Sequence, residues 1–285
     1  MAKLDWRPLA GLAQARLAEA RLEAHHAAQW LARAARAFIP MKPDDSHTNL
    51  GWDDALDGFA THPLKDGARL GLRISDLTLV LIPSSGAEPL AQLRLHGRPN
   101  ADARAWLGEH LRARGLDDGA LSAPPPYEIP AHAIAKGATY REVELKDALG
   151  ELAAWFANAD QSLGRIRAQV AGKKLQVSPV RCWPHHFDIA TLISLDAGGG
   201  ENARSVNAGL SPGDESYHEP YFYVSPYPYP AAAKLPKLSK LGHWHTQGFT
   251  AAVAPASRII AVDKRQSETE AFLNEAAEGA MRVLG

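Results

Sequence analysis

Histidine, tyrosine and carboxylate side chains recur in three short stretches of the chain. They are 182–188 (CWPHHFD), 217–223 (YHEPYFY) and 242–245 (GHWH). Imidazole and carboxylate groups in one site suit acid–base chemistry, and the same groups bind zinc, iron, manganese or nickel. The three stretches are therefore the first candidates for a functional site.

Strand alternation predicts which of these side chains can meet. Successive residues of a β-strand point to opposite faces of the sheet. In a strand over 187–195, the apolar residues share the face that meets the core, while His186 and Asp188 share the other face. The same rule groups the remaining polar residues as His243 with His245, and Glu219 with Tyr221 and Tyr223. We therefore expect these polar residues on one surface of a sheet.

Two kinds of site are consistent with such a surface. For a small molecule, as ligand or substrate, the predicted binding residues are His47, Trp183, His186, Asp188, Glu219 and Tyr223. For a divalent transition metal, the candidate cofactor, the predicted ligands are His186, Asp188, His243 and His245. The ordinary alternative is a half-buried sheet face whose histidines and tyrosines are satisfied by hydrogen bonds. The pattern leaves both an enzyme and a binding protein open.

The chain lacks the motifs that would identify a particular enzyme class. Residues 218–222 (HEPYF) have no second histidine at the spacing of a zinc-binding His-Glu-x-x-His helix, and Pro220 would break that helix. A P-loop and a G-x-G-x-x-G turn are also missing from the sequence. The motifs therefore favour no single reaction class.

A tyrosine- and proline-rich segment, 217–230, predicts a different function. Pro226, Pro228 and Pro230 have no backbone N–H to donate, which is typical of an edge strand. Tyrosine is also enriched at protein interfaces. The alternative to a pocket is therefore a non-catalytic module that uses this edge to bind a ligand or a partner chain, including a second copy of itself as a homodimer.

Composition excludes several classes of partner. The 285-residue chain carries 31 basic and 32 acidic side chains, which gives a formal net charge of -1. Binding to nucleic acid or to an anionic membrane needs a basic excess that this chain lacks. No stretch approaches the roughly 20 apolar residues of a membrane-spanning helix, and the single cysteine, Cys182, excludes an intrachain disulfide. We therefore expect a cytoplasmic protein that binds neither nucleic acid nor membrane.

The elements that must position these residues follow the same order twice along the chain. Helix formers over 9–39 predict a long helix, alternation over 69–82 predicts a β-hairpin, and a second long helix is predicted over 145–171. Further strands are predicted over 187–195, 203–210, 220–227 and 248–254. The order of long helix, β-meander and short helix is an internal pseudo-repeat, and it predicts an α+β fold.

The same order predicts the domain organisation. Residues 1–120 form the first helix, meander and helix half, 121–140 form a proline-rich linker, and 141–285 form the second half. Each half would contribute an antiparallel sheet backed by helices. In the alternative arrangement, the two halves share one continuous sheet.

Several segments resemble an uncharacterised bacterial family, a domain of unknown function. They are SPV at 178–180, FDIA at 187–190, NAGLSPG at 207–213, EPYFY at 219–223, HAAQ at 26–29 and SHTNL at 46–50. The resemblance covers nearly the whole chain in the right order, and it implies no activity because the family's function is unknown. It implies that the signature segments contain His26, His47, Trp183, Asp188 and Tyr223, and that His185 and His186 are particular to a subgroup.

Overall fold

The computed structural model describes residues 5–86, 88–172, 175–196, 203–239 and 241–285. In these residues the fold is α+β, as predicted, with five α-helices, one five-stranded antiparallel sheet and one seven-stranded antiparallel sheet. The alternative of one continuous sheet is wrong, because the strands of the described ranges pair into two separate sheets. Within the same ranges, each helix is too short or too polar to cross a membrane.

The described residues form two compact units. The first unit comprises Leu12–Ala153 and Cys182–Phe187, and the second comprises 5–11, Ala154–Arg181 and Asp188–Gly285. These boundaries differ from the predicted 1–120, 121–140 and 141–285, and the long helix α3 (Lys146–Gly172) has residues in both units. The division of the chain into two repeated halves stays a prediction.

The first unit contains α1 (Gln14–Phe38), α2 (Asn100–Arg112) and a five-stranded meander. Its strands, in sheet order, are β1 (Gly51–Asp53), β2 (Gly58–Ala60), β3 (Arg69–Arg73), β4 (Thr78–Ile82) and β5 (Ala91–Arg94). The hairpin predicted over 69–82 is confirmed as β3 and β4, whose register pairs Leu70 with Leu81. Both leucines are buried, because alternation turns them to the same core-facing side.

The start of α1 differs from the prediction. The helix begins at Gln14 instead of residue 9. Gly11 has a φ of 73°, which lies in the left-handed region and is incompatible with a right-handed helix. Gly11 therefore keeps the start of α1 from extending back to residue 9. Composition alone shows this glycine only as a weak helix former.

The proline-rich segment 121–132 runs along α1. Its contacts, in order, join Leu121 and Ala123 to Arg33, Tyr127 to Gln29, Pro130 to His26, and His132 to Glu19. Proline lacks a backbone N–H, but these contacts use carbonyl oxygens and side chains, so prolines interrupt none of them. Most of the segment predicted as a linker is therefore packed within the first unit.

The second unit contains most of α3, together with α4 (Ala256–Ile260), α5 (Arg265–Leu284) and the larger sheet apart from Cys182 and Trp183. The strands of that sheet are β6 (Gln176–Val177), β7 (Arg181–Trp183), β8 (Asp188–Ser194), β9 (Ser205–Ser211), β10 (Tyr221–Tyr227), β11 (His243–His245) and β12 (Ala251–Pro255). Their order is β11, β12, β10, β9, β8 and β6, with β7 paired to β8. The order is not a simple meander, because β12 returns to pair with β10 and leaves β11 outside.

Strand β10 is an interior strand, which corrects the prediction of an edge at 217–230. It pairs with β12 over 221–224 and with β9 over 221–227. Pro226 lies beyond the last residue paired with β12, so its missing N–H removes no bond on that side. Proline in this strand therefore marks where one partner strand ends.

Alternation along β10 separates the core from a polar face. Phe222 and Val224 are fully buried. The Phe222 ring stacks on Trp6, with ring centroids 5.9 Å apart, and its centroid lies 6.4 Å from that of Trp155 on α3. Full burial of an aromatic side chain contributes about 1.5–3 kcal/mol. The core therefore fixes the strand so that Tyr221 and its neighbours at alternate positions point to the opposite side.

Candidate functional site

Strands of the second sheet contribute to one polar face. The register pairs Tyr223 with Gly209 on one side and with Val253 on the other, and Val253 with His243. Residues paired across antiparallel strands point to the same side of the sheet. The tyrosine–histidine face, with the loop residues that contact it, comprises Asp188, Asn207, Asp214, Tyr217, Tyr221, Tyr223, His243, His245 and Phe249.

A hydrogen bond between Tyr223 and Asp188 spans this face. The Tyr223 hydroxyl donates to Asp188 Oδ2 at 2.5 Å, and Asn207 Nδ2 donates to the same hydroxyl at 3.4 Å. The ring crosses Gly209 so closely that an added Cβ there would lie 2.6 Å from its Cζ. Burial and then the Asp188 charge raise the pKa of Tyr223 well above its ordinary value. The Tyr223 hydroxyl therefore keeps its proton near pH 7 and donates a hydrogen bond in a fixed direction.

A second tyrosine–aspartate pair lies beside the first. The Tyr221 hydroxyl donates to Asp214 Oδ2 at 2.5 Å, and the Tyr221 ring centroid lies 4.8 Å from that of Tyr217. Asp214 Oδ1 accepts from the backbone N–H groups of Ser216 and Tyr217, which fixes the loop that carries Tyr217. Burial is the largest cause that raises the pKa of both tyrosines. The loop therefore holds Tyr217 at the face, and the Tyr217 hydroxyl is protonated near pH 7.

The Tyr217 hydroxyl links two histidines of β11. Its oxygen lies 2.9 Å from His243 Nε2 and 3.1 Å from His245 Nδ1. His245 Nε2 lies 2.6 Å from the Gln247 carbonyl, which can only accept, so neutral His245 carries its proton on Nε2. Tyr217 then donates to His245 Nδ1, and His243 Nε2–H donates to Tyr217. The hydrogen bonds therefore run in one direction, from His243 through Tyr217 and His245 to Gln247.

This direction leaves a lone pair on His243 Nδ1. The atom is buried and has no hydrogen-bond partner in the described part of the chain. Burial lowers the pKa of His243, and the Arg258 guanidinium and His245 lower it further, so the ring is neutral near pH 7. A buried acceptor without a partner costs roughly 1–3 kcal/mol. His243 Nδ1 is therefore a buried acceptor that lacks a donor among the described residues.

Glu219, a predicted binding residue, lies outside this face. Its Oε2 accepts from the Ser257 backbone N–H at 2.6 Å, and its Oε1 accepts from Ser257 Oγ at 3.0 Å. Ser257 is in the first turn of α4, where backbone N–H groups have no partner within the helix. The carboxylate is therefore already used to cap a helix.

A turn corrects the prediction that His186 and Asp188 share a strand face. Strand β8 begins at Asp188, and the Phe187 N–H donates to the Trp183 carbonyl at 2.7 Å. Phe187 has a φ of 59°, so the extended backbone that alternation requires does not reach His186. His186 is exposed and belongs to the first unit, whereas Asp188 belongs to the second.

The remaining predicted binding residues, His47 and Trp183, also belong to the first unit. His47 is buried, and its Nδ1 accepts from the Lys42 backbone N–H at 3.3 Å. The Trp183 ring makes an edge contact with His185, with ring centroids 6.0 Å apart. Of the residues predicted to bind or to hold a metal, the tyrosine–histidine face therefore contains Asp188, Tyr223, His243 and His245.

These residues are not arranged as one metal site. Tyr223 binds Asp188, while the ring nitrogens of His243 and His245 both face the Tyr217 hydroxyl. In the described ranges, their ligand atoms do not meet the spacing of 4.8 Å that brings three His, Cys, Asp or Glu ligands around one ion. A metal at this face would have to use Tyr217 as a further ligand.

A group with that spacing occurs in the first unit and was not predicted. It consists of Glu19, Glu23 and His132, with ligand atoms within 4.8 Å of one another. Arg141 donates to both glutamates, so a guanidinium already supplies the positive charge that an ion would bring. Burial raises the pKa of Glu23 most, and the hydrogen bonds and charge of Arg141 oppose that rise. The group is therefore an ion-pair network that ties the 132–141 region to α1.

Sequence reasoning also missed the loop residues of the face. Tyr217 lies outside the strands, so alternation gives no information about it. The sequence signal for this loop is Asp214. Aspartate often closes a turn by accepting a hydrogen bond from the backbone N–H two residues later, as Asp214 does from Ser216. Phe249 stacks on His245 with ring centroids 4.1 Å apart, and its sequence context carries no comparable signal.

No family model, curated protein or solved structure matches the chain. The resemblance to an uncharacterised bacterial family therefore stays a prediction. The function has to be argued from the residues of the site.

Proposed function

We propose that the protein binds a small molecule on the tyrosine–histidine face and that His243 Nδ1 accepts a hydrogen bond or a proton from it. The observation that carries the proposal is the buried lone pair of Nδ1, which has no partner in the described ranges. The ligand would carry an O–H or N–H donor, since that group satisfies a neutral imidazole acceptor. Binding would then recover the hydrogen bond that the free protein lacks.

The relay behind His243 suits the site to acid–base chemistry. A proton taken up at His243 Nδ1 would be matched by transfer of the Nε2 proton to the Tyr217 oxygen and of the Tyr217 proton to His245 Nδ1. The positive charge would then rest on His245, whose Nε2–H is bonded to the Gln247 carbonyl. Charge is thus moved away from the lowered-pKa ring of His243. An enzyme that removes a proton from its substrate is the reaction type that this arrangement supports.

The rest of the face supports a ligand that is both apolar and polar. The stacked rings of His245 and Phe249 offer aromatic surface. Tyr221 and Tyr223 are held by aspartates, so their hydroxyl groups stay in place when a ligand arrives. Sites for small molecules commonly combine apolar walls with a few fixed polar groups.

A screen of small phenol and carboxamide fragments tests this proposal. We expect some fragments to bind and to shift the His243 ring signals in NMR spectra of the intact protein. His243→Phe keeps a ring but removes the acceptor, so it should weaken those fragments about tenfold, the effect of losing about 1.4 kcal/mol. His218→Phe, at an exposed position, is the control. Fragments that bind equally well to both variants would contradict the proposal.

A divalent transition metal stays a prediction for the same face. Of the predicted ligands, His243 would use Nε2 and His245 would use Nδ1, and the Tyr217 oxygen would have to join them after losing its proton. Burial and the Asp214 charge raise the pKa of Tyr217, which opposes that loss. The hydrogen-bonded relay is therefore the arrangement that we favour.

Interaction with a second copy of the chain is the alternative function. Leu192 and Tyr227 lie on the same side of the sheet as Tyr223, because the register pairs Leu192 with Asn207 and Tyr227 with Ser205. Both side chains are more than 40% exposed, at 41% and 43%. Apolar surface of this kind favours contact with a partner. A molar mass of one chain in light scattering, unchanged by Tyr227→Ser, would exclude this homodimer.

The cysteine content bears on the cellular location of the protein. The chain has one cysteine, Cys182, which is buried and makes no disulfide. A chain without disulfides suits a reducing compartment, so we propose a cytoplasmic location. Fractionation of cells that produce the tagged protein would test it.

A further inference from the structure

Two arginines on one face of α1 have no acidic partner in the described part of the chain. Arg33 Nη1 donates to the backbone carbonyls of Leu121 and Ala123, at 3.1 and 2.9 Å. Arg36, one turn further along, has a buried Nη1 with no acceptor among the described residues. Guanidinium groups that leave water are normally paired with a carboxylate or a phosphate. Two unbalanced positive charges therefore lie one helical turn apart.

Aromatic and imidazole rings extend this positive region. The Arg36 guanidinium lies over the Tyr127 ring, 5.5 Å from its centroid. The Tyr127 ring centroid lies 5.7 Å from that of His185, and the His185 centroid lies 4.2 Å from that of His186. We name Arg33, Arg36, Tyr127, His185 and His186 the arginine–histidine cluster. All five belong to the first unit.

The backbone that carries the two histidines is fixed on α1. The Pro184 carbonyl accepts from His25 Nε2 and from Gln29 Nε2, each at 2.8 Å. Gln29 Oε1 in turn accepts from the Tyr127 hydroxyl at 3.0 Å. Tyr127 and the turn after Pro184 are therefore held by one glutamine, and the cluster is preorganised.

The charges around the cluster leave it positive. Burial and then the charge of His186 lower the pKa of His185 to about 4, and the Asp45 charge only partly opposes this shift. Arg104, the other nearby guanidinium, is ion-paired with Asp118, which also pairs with Arg112. Burial is also the largest cause that lowers the pKa of Arg33. An anion that enters here would meet two guanidinium groups and would make protonation of His185 easier.

We propose that the arginine–histidine cluster binds an oxyanion, the phosphate or carboxylate group of a small molecule. Arg36 would donate to it, Arg33 would contribute charge, and His185 would add an imidazole N–H. Planar guanidinium groups bind such anions through two parallel hydrogen bonds. The anion would supply the acceptor that Arg36 Nη1 lacks. This site is separate from the tyrosine–histidine face, and it does not depend on the proposed function.

Titration of the intact protein with inorganic phosphate and with acetate tests the inference. Sodium chloride at the same ionic strength is the reference, because it screens charge without offering a bidentate acceptor. We expect at least one of the two anions to raise the melting temperature above the chloride reference. The same anion should shift the His185 and His186 ring signals in NMR spectra, with saturation. Phosphate alone, or acetate alone, would identify the source, and either result supports the site.

A variant separates a site from general charge effects. Arg36→Met keeps the apolar stem of the side chain and should weaken the effective anion at least tenfold. Arg98→Met removes an exposed arginine of the same unit and should leave the anion affinity unchanged. Should Arg36→Met not fold, the histidine signals of the unaltered protein decide. An anion effect equal to that of chloride, or one that persists in folded Arg36→Met, would overturn the inference.

Discussion

Tyr223 reaches Asp188 across a glycine. The two residues lie on β10 and β8, and their hydrogen bond of 2.5 Å passes over Gly209 of β9, the strand between them. An added Cβ at Gly209 would lie 2.6 Å from the Tyr223 ring and 2.7 Å from the Ile189 carbonyl oxygen. The carbonyl is backbone and cannot move as a side chain can. Position 209 therefore has to be glycine for the Tyr223 ring to pass over β9 and reach Asp188.

Gly209→Ala should therefore lower the free energy of unfolding and displace Tyr223. Overpacking of this kind costs about 1–3 kcal/mol. Denaturant unfolding measures the loss. Gly164→Ala is the matched control, because that helical glycine has open space around its Cβ position, and alanine in a helix should stabilise by about 0.5–1 kcal/mol. Equal stability of Gly209→Ala and the unaltered protein would show that the ring does not cross this residue.

Tyr223→Phe removes the hydroxyl and leaves the ring in place. We expect the free energy of unfolding to fall by about 1–3 kcal/mol, because the Asp188 carboxylate loses a strong donor. Tyr229→Phe alters a tyrosine that is 52% exposed, and a change at such a surface position should stay within about 0.5 kcal/mol. Comparable losses in the two variants would argue against a special role for the Tyr223–Asp188 bond.

Acid should destabilise the first unit through His25. Its Nε2 donates to the Pro184 carbonyl, and burial lowers its pKa from 6.5 to about 4. As the pH falls below 6.5, the unfolded chain binds a proton that folded His25 does not, so the free energy of unfolding decreases until the pH reaches about 4. The contribution is about 3 kcal/mol.

The slope of stability against pH isolates this histidine. His25→Phe keeps an aromatic ring against Phe187 but removes the titrating group, so denaturant unfolding should show a shallower slope between pH 6.5 and about 4. Its absolute stability will differ because the hydrogen bond to Pro184 is lost, so only slopes are compared. Equal slopes would mean that His25 keeps an ordinary pKa in the folded protein.

Metal removal separates the relay from a metal site. In the relay, the ring nitrogens that face Tyr217 are used by hydrogen bonds. Untagged protein purified without chelator should then hold less than one equivalent of any transition metal, and chelator should leave its melting temperature unchanged. A stoichiometric metal that is lost in His245→Ala would favour the coordination that the sequence predicted.

Much of the fold follows from sequence pattern, because alternation reports burial directly. The hairpin at 69–82 is an example, with Leu70 and Leu81 both turned to the core. The same alternation places His243 with His245 on one side of the sheet. The rule works wherever the backbone stays extended and one face of the strand meets a core.

The rest of the site depends on backbone events that alternation does not contain. Phe187 adopts a φ of 59°, which ends the strand before His186. Tyr217 reaches the face from a loop that Asp214 closes with side-chain hydrogen bonds. An interior β10 could not be deduced from its prolines, since its pairing with β12 ends just before Pro226. Such features depend on tertiary contacts that no short stretch of sequence encodes.

The protonation of His243 is the most direct test of the central claim. Long-range ¹H–¹⁵N NMR spectra distinguish the two ring nitrogens of each histidine in the intact protein near pH 7. We predict that His243 carries its proton on Nε2, that its Nδ1 is bare, and that a bound phenol or carboxamide fragment shifts the Nδ1 signal toward that of a hydrogen-bonded acceptor. Tyr217→Phe should abolish the preference for this tautomer, because the oxygen that accepts from Nε2 is gone. A proton on Nδ1 of His243, or fragments that bind without altering its signal, would contradict the account.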